Sequence, residues 1–138
     1  MDRRRQVVQG AFVTGGGVHV VVHGAPRLHE AQRPRITVHS PLVEVEADAA
    51  DEHVLRFSFD VYQAVRVRSI DLFVPPDGEF KPFRVVEVER SPWIEELRAD
   101  LAQVNHTADF LDSSHHWLIH CGDDVVEVVA WEMSWCGV

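Results

Sequence analysis

Residues 115–135, HHWLIHCGDDVVEVVAWEMSW, restrict the possible folds more than any other stretch. They read as two strands joined by a tight turn. In the first arm His116, Leu118 and His120 point one way, and Trp117, Ile119 and Cys121 the other, because side chains alternate along a strand. Gly122, Asp123 and Asp124 supply the turn, as Gly and Asp tolerate the positive φ of tight hairpins. In the second arm Val126, Val128, Ala130 and Glu132 share one face. Val125, Glu127, Val129, Trp131, Met133 and Trp135 share the other. Both faces are apolar at the centre, which predicts a strand interior to its sheet and covered on both sides.

A two-stranded ribbon is marginal in water, so the rest of the chain must cover it. With 138 residues and 46% apolar content, residues 1–138 suffice for a single α+β domain with its own core. Strands are predicted over 6–13, 18–23, 35–39, 42–47, 54–60, 64–74 and 83–90, with turns at the glycine-rich 14–17, at Ser40-Pro41 and at Pro75-Pro76-Asp77-Gly78. In the 64–74 segment the apolar positions change from odd (Val65, Val67) to even (Ile70, Leu72, Val74), which predicts a bulge or kink near Ser69. Ser91-Pro92 announces the one main helix: a serine N-cap, proline at the first position, and Glu95 and Glu96 near the positive end of the dipole. Trp93, Leu97, Leu101 and Val104 recur at helical spacing beside Ile94, a stripe to lie on the sheet. The expected architecture is an antiparallel, barrel-like curved sheet of about six to eight strands with that helix packed on it.

The formal net charge of −9 excludes nonspecific binding to nucleic acid or to an anionic membrane, both of which need a basic surface. No apolar run is long enough for a transmembrane helix and no signal peptide is recognisable, so the expected location is cytoplasmic. There Cys121 and Cys136 are expected to be free, buried thiols. The glycines of 14–17 lead into a strand and lack the Lys-Ser/Thr pair of a phosphate loop. Asp112, Ser113, Ser114, His115 and His116 hold the residue types of a hydrolytic triad, but neighbours on a chain rarely face one another, and a polar turn accounts for them.

Histidine is the compositional anomaly, nine in all. His116 and His120 share a face, but on one strand they lie roughly 13 Å apart, too far to share an ion. No metal and no cofactor are expected. Trp117 and Trp135, with His116 and His120, are the candidate binding residues, and His116 and His120 the candidate acid–base groups should the chain be an enzyme. Glu44 and Glu46, in an acidic run, are candidates for meeting a basic partner.

The order FRVVEVERSPWIEEL, a polar spacer, then SHHWLIHCGDDVVEVVA resembles small bacterial proteins of accessory or immunity type. Their chains end in a strand, a Ser-x-Trp-Ile helix, a His-aromatic strand, an Asp turn and a valine strand. The likeness spans residues 83–131 and rests on structural positions, so it implies a fold and an acidic partner-binding domain but no catalytic residues. Two functions follow. The first is a non-enzymatic binding protein that engages a protein partner through acidic and aromatic surface. The alternative is a small enzyme or ligand carrier whose curved sheet holds a small molecule in a His/Trp-lined pocket. Oligomeric state is not legible from these residues.

Overall fold

The computed structural model describes residues 18–72, 81–104 and 109–138; the expected strand at 6–13 and the turns at 14–17 and 75–78 lie outside them. The strands are β1 (Val18–Val21), β2 (Arg35–His39), β3 (Leu42–Asp48), β4 (Val54–Ser69), β5 (Val85–Glu89), β6 (His115–Cys121) and β7 (Asp124–Gly137), and the helix is α1 (Pro92–Ala102). The strands form one seven-stranded sheet in the order β1-β5-β6-β7-β4-β3-β2, with every neighbouring pair antiparallel. The fold is therefore α+β, as expected. The sheet does not close: β1 and β2 are its two ends.

The terminal hairpin is central, as its composition required. β7 lies between β6 and β4, and every residue from Val125 to Ala130 is buried. The first arm alternates as predicted, with Trp117, Ile119 and Cys121 in the large core and Leu118 in a smaller cluster on the opposite face. The large core also takes Val43, Val45, Phe57, Phe59, Val126 and Val128, and the segment after β1 covers it with Ala25 and Leu28. That segment is tied to both sides of the sheet. Leu28 N–H donates to Phe83 C=O at 2.8 Å, beside β5, and His29 N–H donates to Asp48 C=O at 2.9 Å, in β3.

Three expectations need correction. First, the segments at 54–60 and 64–74 are one sixteen-residue strand, β4, and its irregularity lies between Tyr62 and Ala64, not near Ser69. The apparent phase change at Ile70 arises because the strand has ended there and Ile70–Leu72 is a 3-10 turn. Second, β7 changes face. Val126, Val128 and Ala130 meet the large core, and so does Met133, three positions further on. An odd step cannot keep one face of a regular strand, so Met133 and Trp135 part company with Val129. The change occurs opposite Val61, whose φ of 53° marks the bend in β4. Third, Val104 is exposed and does not extend the helix stripe.

α1 begins as predicted: the Ser91 Oγ accepts from Ile94 N–H at 3.1 Å, and Pro92 occupies the first turn. Trp93 packs with Leu111 and Val129, and Ala64, Ile94, Leu97 and Leu101 flank them. Burying Trp93 contributes about 2–3 kcal/mol by area. No helix among the described residues is long and apolar enough to cross a membrane.

Candidate functional site

Beneath α1, charged and polar side chains occupy a face that valines otherwise fill. Glu127 interrupts the valines of β7 and is 1% exposed. Its register partner in β4 is Arg66, and Arg68, two residues on, points to the same face. Arg66 donates to both carboxylate oxygens, from Nε at 2.9 Å and Nη2 at 3.1 Å, and Arg68 Nη2 donates at 2.6 Å. From β6, His116 Nε2 lies 2.9 Å from Glu127 Oε1. Its other nitrogen, Nδ1, lies 2.7 Å from the Oγ of Ser91. The Arg66 guanidinium rests over the Trp93 ring at 4.0 Å, and that ring meets the His116 imidazole edge-on.

Hydrogen-bond bookkeeping fixes the tautomer. The ionised Glu127 carboxylate can only accept, so the proton of neutral His116 sits on Nε2 and is donated to it; Nδ1 is then an acceptor, and Ser91 Oγ, which accepts from Ile94 N–H, donates its own proton there. Neutral His116 is thus fully satisfied. Burial holds its pKa below the ordinary value, against the pull of Glu127 and with help from Arg66 and Arg68. Burial works against the Glu127 charge, but the hydrogen bonds from His116 and Arg66 outweigh it and hold the carboxyl well below the usual range.

Serine, histidine and glutamate in series are the components of a nucleophilic relay. This chain does something else. Ser91 and His116 are 5% and 4% exposed, and the serine oxygen caps a helix. A substrate carbonyl has no approach to that oxygen. The arrangement locks the start of α1 to β6, β7 and β4.

His120 shares the face of His116 as predicted, but not its network. Its Nδ1 accepts from Phe83 N–H at 2.8 Å, and its ring stacks on Phe83 at 4.4 Å. Burial lowers its pKa, outweighing its bond to the Gly122 backbone and the field of Asp123. Trp117 lies in the core against Phe59 and offers no surface. Trp135 is 36% exposed and tilts against Phe57. Glu44 and Glu46 lie on the outer face of β3 beside Arg35, Arg56 and His39. Arg56 donates to Glu46 at 2.8 Å and 3.0 Å, Arg35 approaches Glu46 and Asp48, and His39 meets Glu44. The Arg56 hydrogen bond lowers the Glu46 pKa. Cys121 and Cys136 are free, as expected, but only Cys121 is buried, its thiol pushed up to about 12 by burial.

Among the described residues no three His, Cys, Asp or Glu side chains are grouped to hold a metal ion. An open cleft of about 600 Å³ lies between the β6–β7 turn and the covering loop, lined by Gln32, Arg33, Asp123 and Asp124. Among the described residues that line it there is neither histidine nor tryptophan. The sequence singled out Ser91 only as a cap, and Arg66 and Arg68 not at all. Their signal was a lone glutamate in a valine strand, which burial obliges to find cations. Comparison of the chain with protein-family models, curated proteins and solved structures found no match in any of the three.

Proposed function

We propose that the chain is a non-enzymatic binding protein of the accessory or immunity type. It acts in the cytoplasm and engages a protein partner through acidic and aromatic surface. One observation carries this reading. The two histidines best placed for chemistry, His116 and His120, are 4% exposed and held by structural hydrogen bonds, while Trp131 and Trp135 are 40% and 36% exposed on β7. Tryptophan surface is what protein interfaces use most heavily. In this reading the sheet is a barrel-like cup, drawn together by the loop that bonds to both β5 and β3, and the rim rather than the interior is the working surface.

The acidic part of that surface shifts from where the sequence put it. Glu44 and Glu46 are paired with Arg56 and Arg35, whereas Asp60 and Glu132 stand directly opposite one another across β4 and β7. Tagged full-length chain, passed over an extract of its source organism, is expected to retain one partner in stoichiometric amount. Trp135→Ala is expected to lose that partner while still folding, with its unfolding midpoint lowered by the lost packing on Phe57. Retention of nothing specific by the wild-type chain overturns the proposal.

A further inference from the structure

Among the described residues, the outer half of β7 has a sheet neighbour on one side only. β6 pairs with β7 from Asp124 to Ala130 and then stops, because His115 is its first residue. β4 continues to pair with β7 as far as Gly137. Among the described residues, the β6-facing edge from Met133 to Gly137 therefore has no strand against it. The phase of its backbone follows from one bond. Val138 N–H donates to Val54 C=O at 2.9 Å, continuing the register that sets Gly137 opposite Leu55. In an antiparallel pair both backbone groups of a residue point to the same side, and alternate residues point to opposite sides. Glu132, Ser134 and Cys136 thus turn their N–H and C=O groups to β4, and Met133, Trp135 and Gly137 turn theirs outward. Among the described residues, nothing lies within 4 Å of where a Cβ of Gly137 would stand, so the sheet face is sterically open there.

Charge selects among occupants. Asp60 and Glu132 are register partners, two carboxylates face to face on adjacent strands. Like charges directly opposite destabilise a pair. No cation of the described residues is ion-paired to either, unlike Glu44 and Glu46 two strands away. A second copy of this chain would bring two more carboxylates to the same place. An extended segment bearing lysine or arginine would relieve the repulsion, and its apolar alternate residues would fall beside Met133 and Trp135. The two end strands of the sheet are less suited: β1 is four residues long, and β2 is five, with Arg35 and His39 already engaged with acids of β3.

We infer that the Met133–Gly137 edge of β7 takes up an extended, basic segment of a protein partner as an added strand, with its cations over Asp60 and Glu132. The inference rests on the binding-protein reading and names the mode and chemistry of that binding.

Amide hydrogen exchange of the full chain tests it, with a short alternating lysine–valine peptide as the probe. Alone, the chain should show fast exchange at Met133, Trp135 and Gly137 and protection at Ser134. The lysine–valine peptide should slow the three outward amides by about tenfold or more. A glutamate–valine peptide, and a lysine–valine peptide interrupted by proline, should leave them unchanged. Asp60→Lys with Glu132→Lys should transfer the preference to the glutamate peptide; if that double variant does not fold, Glu132→Gln should weaken the response to the lysine peptide.

Equal protection by both charges, no protection by either, or protection that grows with the concentration of the chain alone overturns the inference. So does a captured natural partner that leaves these three amides exposed, which would leave the broader reading standing. Peptide protection without any natural partner would do the reverse.

Discussion

Glu127 shows how much one side chain carries here. Among the described residues it alone bonds Arg66, Arg68 and His116 at once, so removing its charge takes an anion from two guanidinium groups and from an imidazole N–H. Breaking a buried ion pair by removing one partner typically destabilises by about 3–5 kcal/mol. The arginines keep a third of their side-chain surface in water, so Glu127→Gln should fall near the lower end, about 3 kcal/mol. A drop in the urea midpoint with an unchanged slope would show it. The histidines set the pH dependence. His116 and His120 are both lowered from 6.5, so below that pH the unfolded chain binds protons that the folded chain refuses. Their contribution is fully present above 6.5 and is lost as pH falls toward the folded values. The groups facing His116 are Ser91 from the head of α1, Glu127 from β7, and Arg66 and Arg68 from β4. Urea unfolding at pH 7.5 and 5.5 should give lower stability at 5.5, and His116→Gln should flatten part of that slope; an unchanged slope would remove His116 as a source.

At the scale of elements, the start of α1 joins secondary structure to packing, because one hydroxyl serves both. Ser91→Ala removes the N-cap and the donor to His116 Nδ1 together. Loss of the cap costs about 1 kcal/mol and a buried acceptor left unpaired about 1–3 kcal/mol. Ser91→Gly separates the two, since glycine caps within a few tenths of a kcal/mol of serine and cannot bond the imidazole. Thermal unfolding should place Ser91→Gly well below wild type and a little above Ser91→Ala. If Ser91→Gly matched wild type, the histidine bond would carry no stability. The start of this helix was legible because Ser-Pro before an apolar stripe is a local signal. β3 was legible as a strand for a similar reason, as Val43 and Val45 alternate cleanly with Glu44 and Glu46. The bend shared by β4 and β7 was not. Val61 adopts a φ of 53° that its own side chain disfavours, so tertiary packing imposes it and no local pattern announces it. For the same reason the buried polar cluster was illegible as a set: Arg66, Ser91, His116 and Glu127 come from four elements and meet only after the sheet is ordered.

At the scale of the whole molecule, cohesion across the sheet depends on the loop after β1. Gln32 anchors it: its Nε2 donates to His29 C=O and Asp48 C=O, each at 2.7 Å, and its Oε1 accepts from Asp48 N–H at 2.6 Å. On the other side the loop rests against the β6–β7 turn. Gly122 there has φ 61°, and a Cβ on it would stand 1.9 Å from the Gln32 backbone oxygen. Two costs therefore follow from Gly122→Ala. A left-handed conformation at a non-glycine residue costs about 1–2 kcal/mol. The contact adds more, because its partner is backbone and only displacement of the loop relieves it. Displacement pulls Gln32 from Asp48, so damage in the β6–β7 turn should reach β3. A double-mutant cycle checks this. If the loop transmits the strain, Gly122→Ala should destabilise less in a Gln32→Ala background, where the anchor is already gone, with a coupling of about 0.5–3 kcal/mol. Strict additivity would mean that the turn and β3 are held independently, and that the sheet does not depend on this strap.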